Sequence, residues 1–373
     1  MEAIHQQVHQ VFTQYAQEKK AQPAFNPNFE SELGRLLTVS QFDIQDQFKR
    51  SSACRNAAGE SIQFACGYVD EGSTTAFSDQ FGEYHIIGMD ITLANVLHKL
   101  ALKCFSDQDF FPEIGLIETE GRSQLRTDAD RKLWLYQCLK LASYSSSALS
   151  QDTPSDTVRL NAANYLTLLM LRFIWFHEMN HGLLGHTSYL QSLHERRRLI
   201  DALVNIKASS FFVHEFDSMA IDATSLQYME LEADNAAFRQ CFRILNGNDE
   251  FANLIDLTQA TRCRLGVFAQ FAITWIFDLF AKCLSRFSIN TTHPKPSLRL
   301  AAFYRLSIFE VEDLGLSAPA FVNGVFAQFH NVFGSTHKIF RRMSSSQISK
   351  YQVAASQLHS TLEPFRYQAR KAT

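Results

Sequence analysis

The string Phe176-His177-Glu178-Met179-Asn180-His181-Gly182-Leu183-Leu184-Gly185-His186 holds the side chains most able to do chemistry in this chain. Two histidines four residues apart on a helix share a face about one turn apart, so both imidazoles can reach one metal ion. Glu178, beside the first histidine, points toward the same cleft and can take a proton from water. The preceding run from Leu166 to Phe176 (LTLLMLRFIWF) is strongly apolar, so the helix is buried where it meets His177. Burying His, Glu and His together without a common partner would leave several polar groups unmet. Gly182 and Gly185 are expected to loosen the helix end, as a cleft requires.

A catalytic zinc takes three protein ligands and leaves a fourth position open. A third histidine six residues after His181 would fall at Thr187, which excludes the metzincin pattern. His186 lies off the ligand face and is expected to support a ligand or cap the helix. A third ligand is offered by a later helix, Tyr228-Met-Glu230-Leu-Glu232-Ala-Asp234. Glu230 and Asp234 stand one turn apart on one face. Glu230 can ligate, and Asp234 can accept the free ring N–H of a ligand histidine and fix its tautomer. Glu232 points elsewhere and reads as solvated.

These residues need rigid elements to hold them. Residues 1–50 read as two helical stretches split around Pro23 to Pro27. Ser61 to Val69 and Glu83 to Ile91, rich in β-branched and aromatic residues, read as a small antiparallel hairpin or sheet. A helix from about Thr92 to Cys104 follows, and Ser145 to Asp156 is the clearest loop. Beyond it the chain reads as helical over Asp156 to His186, 188–207, 221–245, 250–285, 296–310 and 316–365. The Arg196-Arg197-Arg198 run is a solvated face. The fold class is therefore mainly α with a small antiparallel sheet. The expected units are an N-terminal helical segment (1–54), a central domain (55–310) and a C-terminal helical extension (311–373).

Composition narrows the partners. With 35 Lys and Arg against 38 Asp and Glu, the formal charge of −3 argues against a nucleic-acid binder. Seven scattered cysteines, with no Cys-x-x-Cys pair, read as reduced core thiols of a cytoplasmic protein. Leu265 to Leu284 has the length of a bilayer span, but Gln270, Asp278 and Lys282 interrupt it, which favours a buried core helix. The 32 phenylalanines imply a core rich in aromatic contacts.

The motif pair His177-Glu178-x-x-His181 and Glu230-x-x-x-Asp234 resembles the gluzincin metallopeptidases, in particular the prenyl-protease and HtpX-type group, over roughly residues 55–305. Thr292-His293-Pro294, with Arg299 six residues after the histidine, matches a further element of that group. The resemblance implies a zincin-like core, a bound Zn2+, and His293 and Arg299 steadying an oxyanion at the substrate carbonyl. It also implies that Asn56-Ala57 precedes an edge strand, Ile62 to Val69, which holds a peptide or protein substrate in extended form. Asn180 departs from the small residue usual at its position, and the several membrane spans of some members are missing. The Gly-His ending, build and length also resemble the Lit-type phage-exclusion peptidases of bacteria, which implies a cytosolic protease acting on a specific host protein.

The activity implied is zinc-dependent endopeptidase hydrolysis by metal-activated water, with Glu178 as general base. The alternative is a non-catalytic helical interaction protein with a structural or degenerate zinc site. A peptide-deformylase reading would use Cys138, but its Tyr-Gln-Cys-Leu-Lys surroundings lack the Gly-Cys context. If the protease is latent, the C-terminal helices are where its gate is expected, and deletion of residues 314–373 would raise basal cleavage.

Overall fold

A computed structural model describes the chain except residues 1, 20–23, 28–29, 52, 73, 122–124, 126, 143–152, 194–222, 248, 284–293, 295, 313–316, 334–344 and 370–373. His293, Arg196 to Arg198, and most of the expected 145–156 loop and 188–207 helix lie outside the described residues.

The structure is mainly helical, 71% by residue, with a small mixed three-stranded sheet. Helices α1 (Glu2–Lys19) and α2 (Glu32–Ser51) come first, then strands β1 (Cys54–Arg55), β2 (Gln63–Val69), β3 (Ala76–Phe81) and β4 (Tyr84–Asp90). Helices α3 (Ile91–Phe105), α4 (Asp128–Ala142) and α5 (Thr157–Leu183) follow. Residues 186–193 are the described part of α6. Then come α7 (Ala223–Asn246), α8 (Glu250–Leu254), α9 (Gln259–Cys283), α10 (Pro296–Glu312), α11 (Ala318–Phe333) and α12 (Ser345–Leu362). A 3₁₀ turn (Glu363–Phe365) leads to β5 (Gln368–Ala369).

The sheet departs from the expected antiparallel pair. Its order is β2-β4-β3, with β2 parallel to β4 and β3 antiparallel to it. The tight hairpin is β3–β4, closed by the two-residue turn Gly82–Glu83 between the paired Phe81 and Tyr84. β4 is thus inserted between strands that precede it in sequence. β3 (AFSDQF) is half polar and partly buried along its length, which hides it among loop residues. One face of the sheet packs on α1 through Phe12, Tyr15 and Ala16 against Ala65, Val69 and Ile86, and the Tyr15 hydroxyl donates to Asp79 (2.9 Å). The other face joins the main core.

That core is continuous from Leu37 and Ile44 of α2 to Val325, Phe329 and Phe333 of α11, so it crosses the expected unit boundaries at 54/55 and 310/311. Aromatic rings carry much of it: Phe268 lies against Phe110, Phe111, Phe329 and Phe333, and Trp275 stacks on Phe333 at 4.1 Å. The apolar helix α9 contains one window long enough to cross a membrane, and 83% of it is buried inside this core. Its packing against α5, α7, α10 and α11 accounts for its composition. The expected 250–285 helix is broken after α8, where Asp256 takes a positive φ of 52°.

α5 is the axis. It is apolar around its circumference, so it must be covered on all sides, and α2, α3, α7, α9 and the sheet pack against it. Asp156 caps its start by accepting from the Arg159 backbone N–H (2.9 Å). The fully buried Arg159 guanidinium then donates to the carbonyls of Phe105, Asp107, Phe110 and Ile114 at 2.8–2.9 Å. The segment after α3, with Phe111 at a φ of +43°, is thereby wrapped around one cation. Arg172, in mid-helix, ties α5 to Asp43 (2.6 Å) and to the buried Asp249 (3.0 Å).

Arg159→Met leaves at least four buried carbonyls without their donor. It is expected to lower the free energy of unfolding by about 3–5 kcal/mol, read from urea denaturation. A change below about 1 kcal/mol would mean that water replaces the guanidinium.

Candidate metal centre

α5 and α7 cross where α5 ends. Asn180, buried on α5, donates to the Phe176 carbonyl (2.7 Å) and to Gln240 Oε1 of α7 (2.9 Å), clasping the two helices beside the motif. The glycines at this end do not loosen it. Gly182 is buried inside α5, where a Cβ would sit 3.0 Å from Phe64 and 3.2 Å from His85 of the sheet. Gly185 takes a φ of +78°, ends the helix through its N–H to the Gly182 carbonyl (3.0 Å), and lies against the backbone of Phe365.

The crossing brings His177 and His181 to Glu230. The two Nε2 atoms are 3.1 Å apart, and Glu230 lies 3.5 Å from each, through Oε2 to His177 and Oε1 to His181. Ligands held about 2.0–2.1 Å from a tetrahedral zinc stand about 3.3 Å from one another. The 3.1 Å between the imidazoles is close to that, each Glu230 oxygen stands 3.5 Å from one of the two rings, and one ligand atom from each residue lies within 4.8 Å of the others. Among the described residues, this is the group of His, Cys, Asp and Glu side chains that could hold a metal ion. Glu178 is buried next to His177, and its charge acts on both His177 and Arg299.

Each of the two histidines is backed by an acid and an arginine, His181 through a further histidine. His177 Nδ1 lies 2.9 Å from Asp234 Oδ1, a close contact though poorly aligned as a hydrogen bond. Arg299 grips the fully buried Asp234 from the other side, Nε to Oδ2 at 2.7 Å and Nη2 to Oδ1 at 2.6 Å. The expected approach of Arg299 to a substrate carbonyl is therefore replaced by a hold on Asp234: two of its nitrogens are committed to that carboxylate. On the second side, His181 Nδ1 is 3.1 Å from Nδ1 of the buried His186, and His186 Nε2 is 3.0 Å from Glu232 Oε2. Arg366 Nη2 donates to both Glu232 oxygens at 2.7 and 3.0 Å, and the Tyr228 hydroxyl donates to Oε1 (3.4 Å). Glu232 is thus not the solvated acid expected from sequence, because the end of the chain covers it. Nothing local in the sequence marks Arg366, which is 134 residues away.

Burial raises carboxyl pKa values, but Arg299 and His177 hold Asp234 below its ordinary value, and His186 and Arg366 do the same for Glu232. Burial lowers imidazole pKa values. At His177 the close carboxylates of Asp234, Glu230 and Glu178 override it and push the pKa up to about 10. At His181 burial dominates, with His177 and His186 adding to it, and the pKa falls to about 3. The acids around His177 thus favour a positive charge at this spot, whether a proton or a metal ion.

The edge expected to hold substrate is occupied. On β2 the Tyr68 carbonyl accepts from the Phe25 N–H (2.8 Å) and the Cys66 carbonyl from Gln41 (3.3 Å). Asn56 instead closes a turn with Glu60, whose N–H it accepts at 2.9 Å. The opposite edge strand, β3, packs on α5, and its Ser78 hydroxyl lies 3.2 Å from that of Thr187, just beyond the helix. Comparison of the chain with protein-family models, with curated proteins and with solved structures finds no match.

The wild-type chain is expected to carry about one zinc, measured by elemental analysis, and Glu230→Ala to lose most of it. Zinc uptake at pH 7 should also release about one proton, because His177 is protonated until its raised pKa is passed. Calorimetry in buffers of different ionisation enthalpy measures this, and a heat independent of buffer would show His177 already neutral.

Proposed function

We propose that this chain is a zinc-dependent endopeptidase of the gluzincin type. The observation that carries the reading is the convergence of His177, His181 and Glu230, one ligand atom from each within 4.8 Å of the others, with Glu178 buried beside them. Three ligands from the described residues suit a catalytic site, since structural zinc sites are usually closed by four. A zinc ion held there supplies a Lewis acid that acidifies water and polarises a carbonyl oxygen.

The chain's own residues carry the remaining steps. Glu178 takes a proton from the attacking water at its carboxylate and passes it to the leaving amine. Asp234 and His186 hold the ligand rings, and Arg299 steadies Asp234. An extended protein segment would lie along β3, whose polar face reaches the helix end through Ser78, and main-chain hydrogen bonds would hold it whatever its side chains. The resemblance to Lit-type peptidases supports a narrower proposal: a cytosolic enzyme that cleaves one specific host protein during phage infection.

Glu178→Gln is expected to fold, to keep its zinc, and to lose roughly 10²–10⁴-fold in cleavage of a denatured protein pool. Near-normal turnover would remove Glu178 as the base. A wild-type chain that holds zinc and cleaves nothing would be the non-catalytic interaction protein instead.

A further inference from the structure

The two ligand histidines are supported unequally. On the Nδ1 side His177 meets a carboxylate directly, whereas His181 reaches one only through a second histidine. With His186 neutral, donor and acceptor roles along that second chain have one consistent order. Arg366 only donates, so Glu232 accepts from it and has a further lone pair for His186 Nε2–H. A neutral His186 protonated at Nε2 offers a bare Nδ1, which can only accept. His181 must then carry its proton on Nδ1, and its Nε2 is left with a lone pair facing His177 and Glu230.

We infer that Arg366 and Glu232, acting through His186, are positioning residues that fix the tautomer and orientation of His181, so that the segment after α12 is a built part of the metal centre. The inference rests on the reading of His177, His181 and Glu230 as a metal site and adds to it a distant residue.

The segment is placed to do this and little else. After the 3₁₀ turn, the Arg366 N–H bonds the Leu362 carbonyl (3.1 Å) and the Tyr367 N–H bonds the Leu183 carbonyl at the end of α5 (2.8 Å). Tyr367 sets its ring edge-on to His85, and Gln368 and Ala369 pair with Arg55 and Cys54. Backbone bonds on both sides of Arg366 therefore fix where its guanidinium goes. Gly185 allows the approach, since any side chain there would strike Phe365. Arg366 arrives on the Nδ1 side of His181, away from the ligand triangle, so the segment braces the site from behind. Removing the C-terminal residues then weakens the centre, the reverse of the gain in cleavage expected from a gate.

The test uses the full-length chain with Zn2+ and Co2+ as probes. Arg366→Met keeps the apolar stem and removes the charge, Arg366→Lys restores a charge, and Glu232→Gln removes the charge at the next link. Zinc affinity is read by competition with a chromophoric chelator and ligand geometry by the visible absorption of the Co2+ form, in variants whose circular dichroism matches wild type. Arg366→Met and Glu232→Gln are expected to bind zinc about 10–100-fold more weakly, with altered Co2+ bands, and Arg366→Lys to recover most of both. Wild-type affinity and an unchanged Co2+ spectrum in both charge-removing variants, alongside loss of binding in Glu230→Ala, would overturn the inference and leave the metal site standing. If Arg366→Met does not fold, Glu232→Gln decides by the same two readouts. Failure of the wild-type chain to bind either ion would remove the metal site and the inference with it.

Discussion

A buried imidazole offers a metal ion one lone pair, and only while its other nitrogen keeps the proton. Two such rings, side by side and pointed at one spot, repel protons and each other's partial charges unless something fixes both tautomers. Much of the local structure answers that requirement. Asp234 and His186 face the two Nδ1 atoms, and behind them Arg299 and Arg366 hold the acids that give each chain its direction. The opposite pKa displacements of the neighbouring rings follow from the acids around His177 overriding burial, whereas at His181 burial, with His177 and His186 adding to it, prevails over Glu230.

Fixing tautomers is useful only if the helices that carry them do not slide. α5 holds both histidines, and its enclosure by other helices and the sheet, with the Arg172 ties to Asp43 and Asp249, sets its depth and rotation. α7 brings Glu230 and Asp234 on one face to His181 and His177, with Glu232 meeting His186, and the Asn180–Gln240 bond sets it against α5 near the motif. A smaller residue at 180 would pack the same crossing without that bond.

The parts legible in the sequence were those with local periodicity or strong punctuation. The convergence of His177, His181 and Glu230 could be read from spacing on two helices, and α5 from its apolar run. The break between α8 and α9 was not legible, because Asp256 in a left-handed conformation leaves no mark in composition. The sheet was misread because period-2 alternation identifies strands but says nothing of their order, and the half-polar β3 resembles a loop. Glu232 was misread for another reason. Its burial comes from Arg366, and a contact spanning 134 residues has no local signature.

Translation proceeds from the N-terminus, and the Glu232–Arg366 pair spans 134 residues. At about 5–20 residues per second, roughly 7–27 s separate the synthesis of the acid from that of its arginine. Through that interval a nascent chain already has both ligand helices yet leaves Glu232 without its counter-charge. The centre therefore acquires its last support as a late event of biosynthesis, so the order of synthesis delays the finished site until most of the surrounding core exists to enclose it.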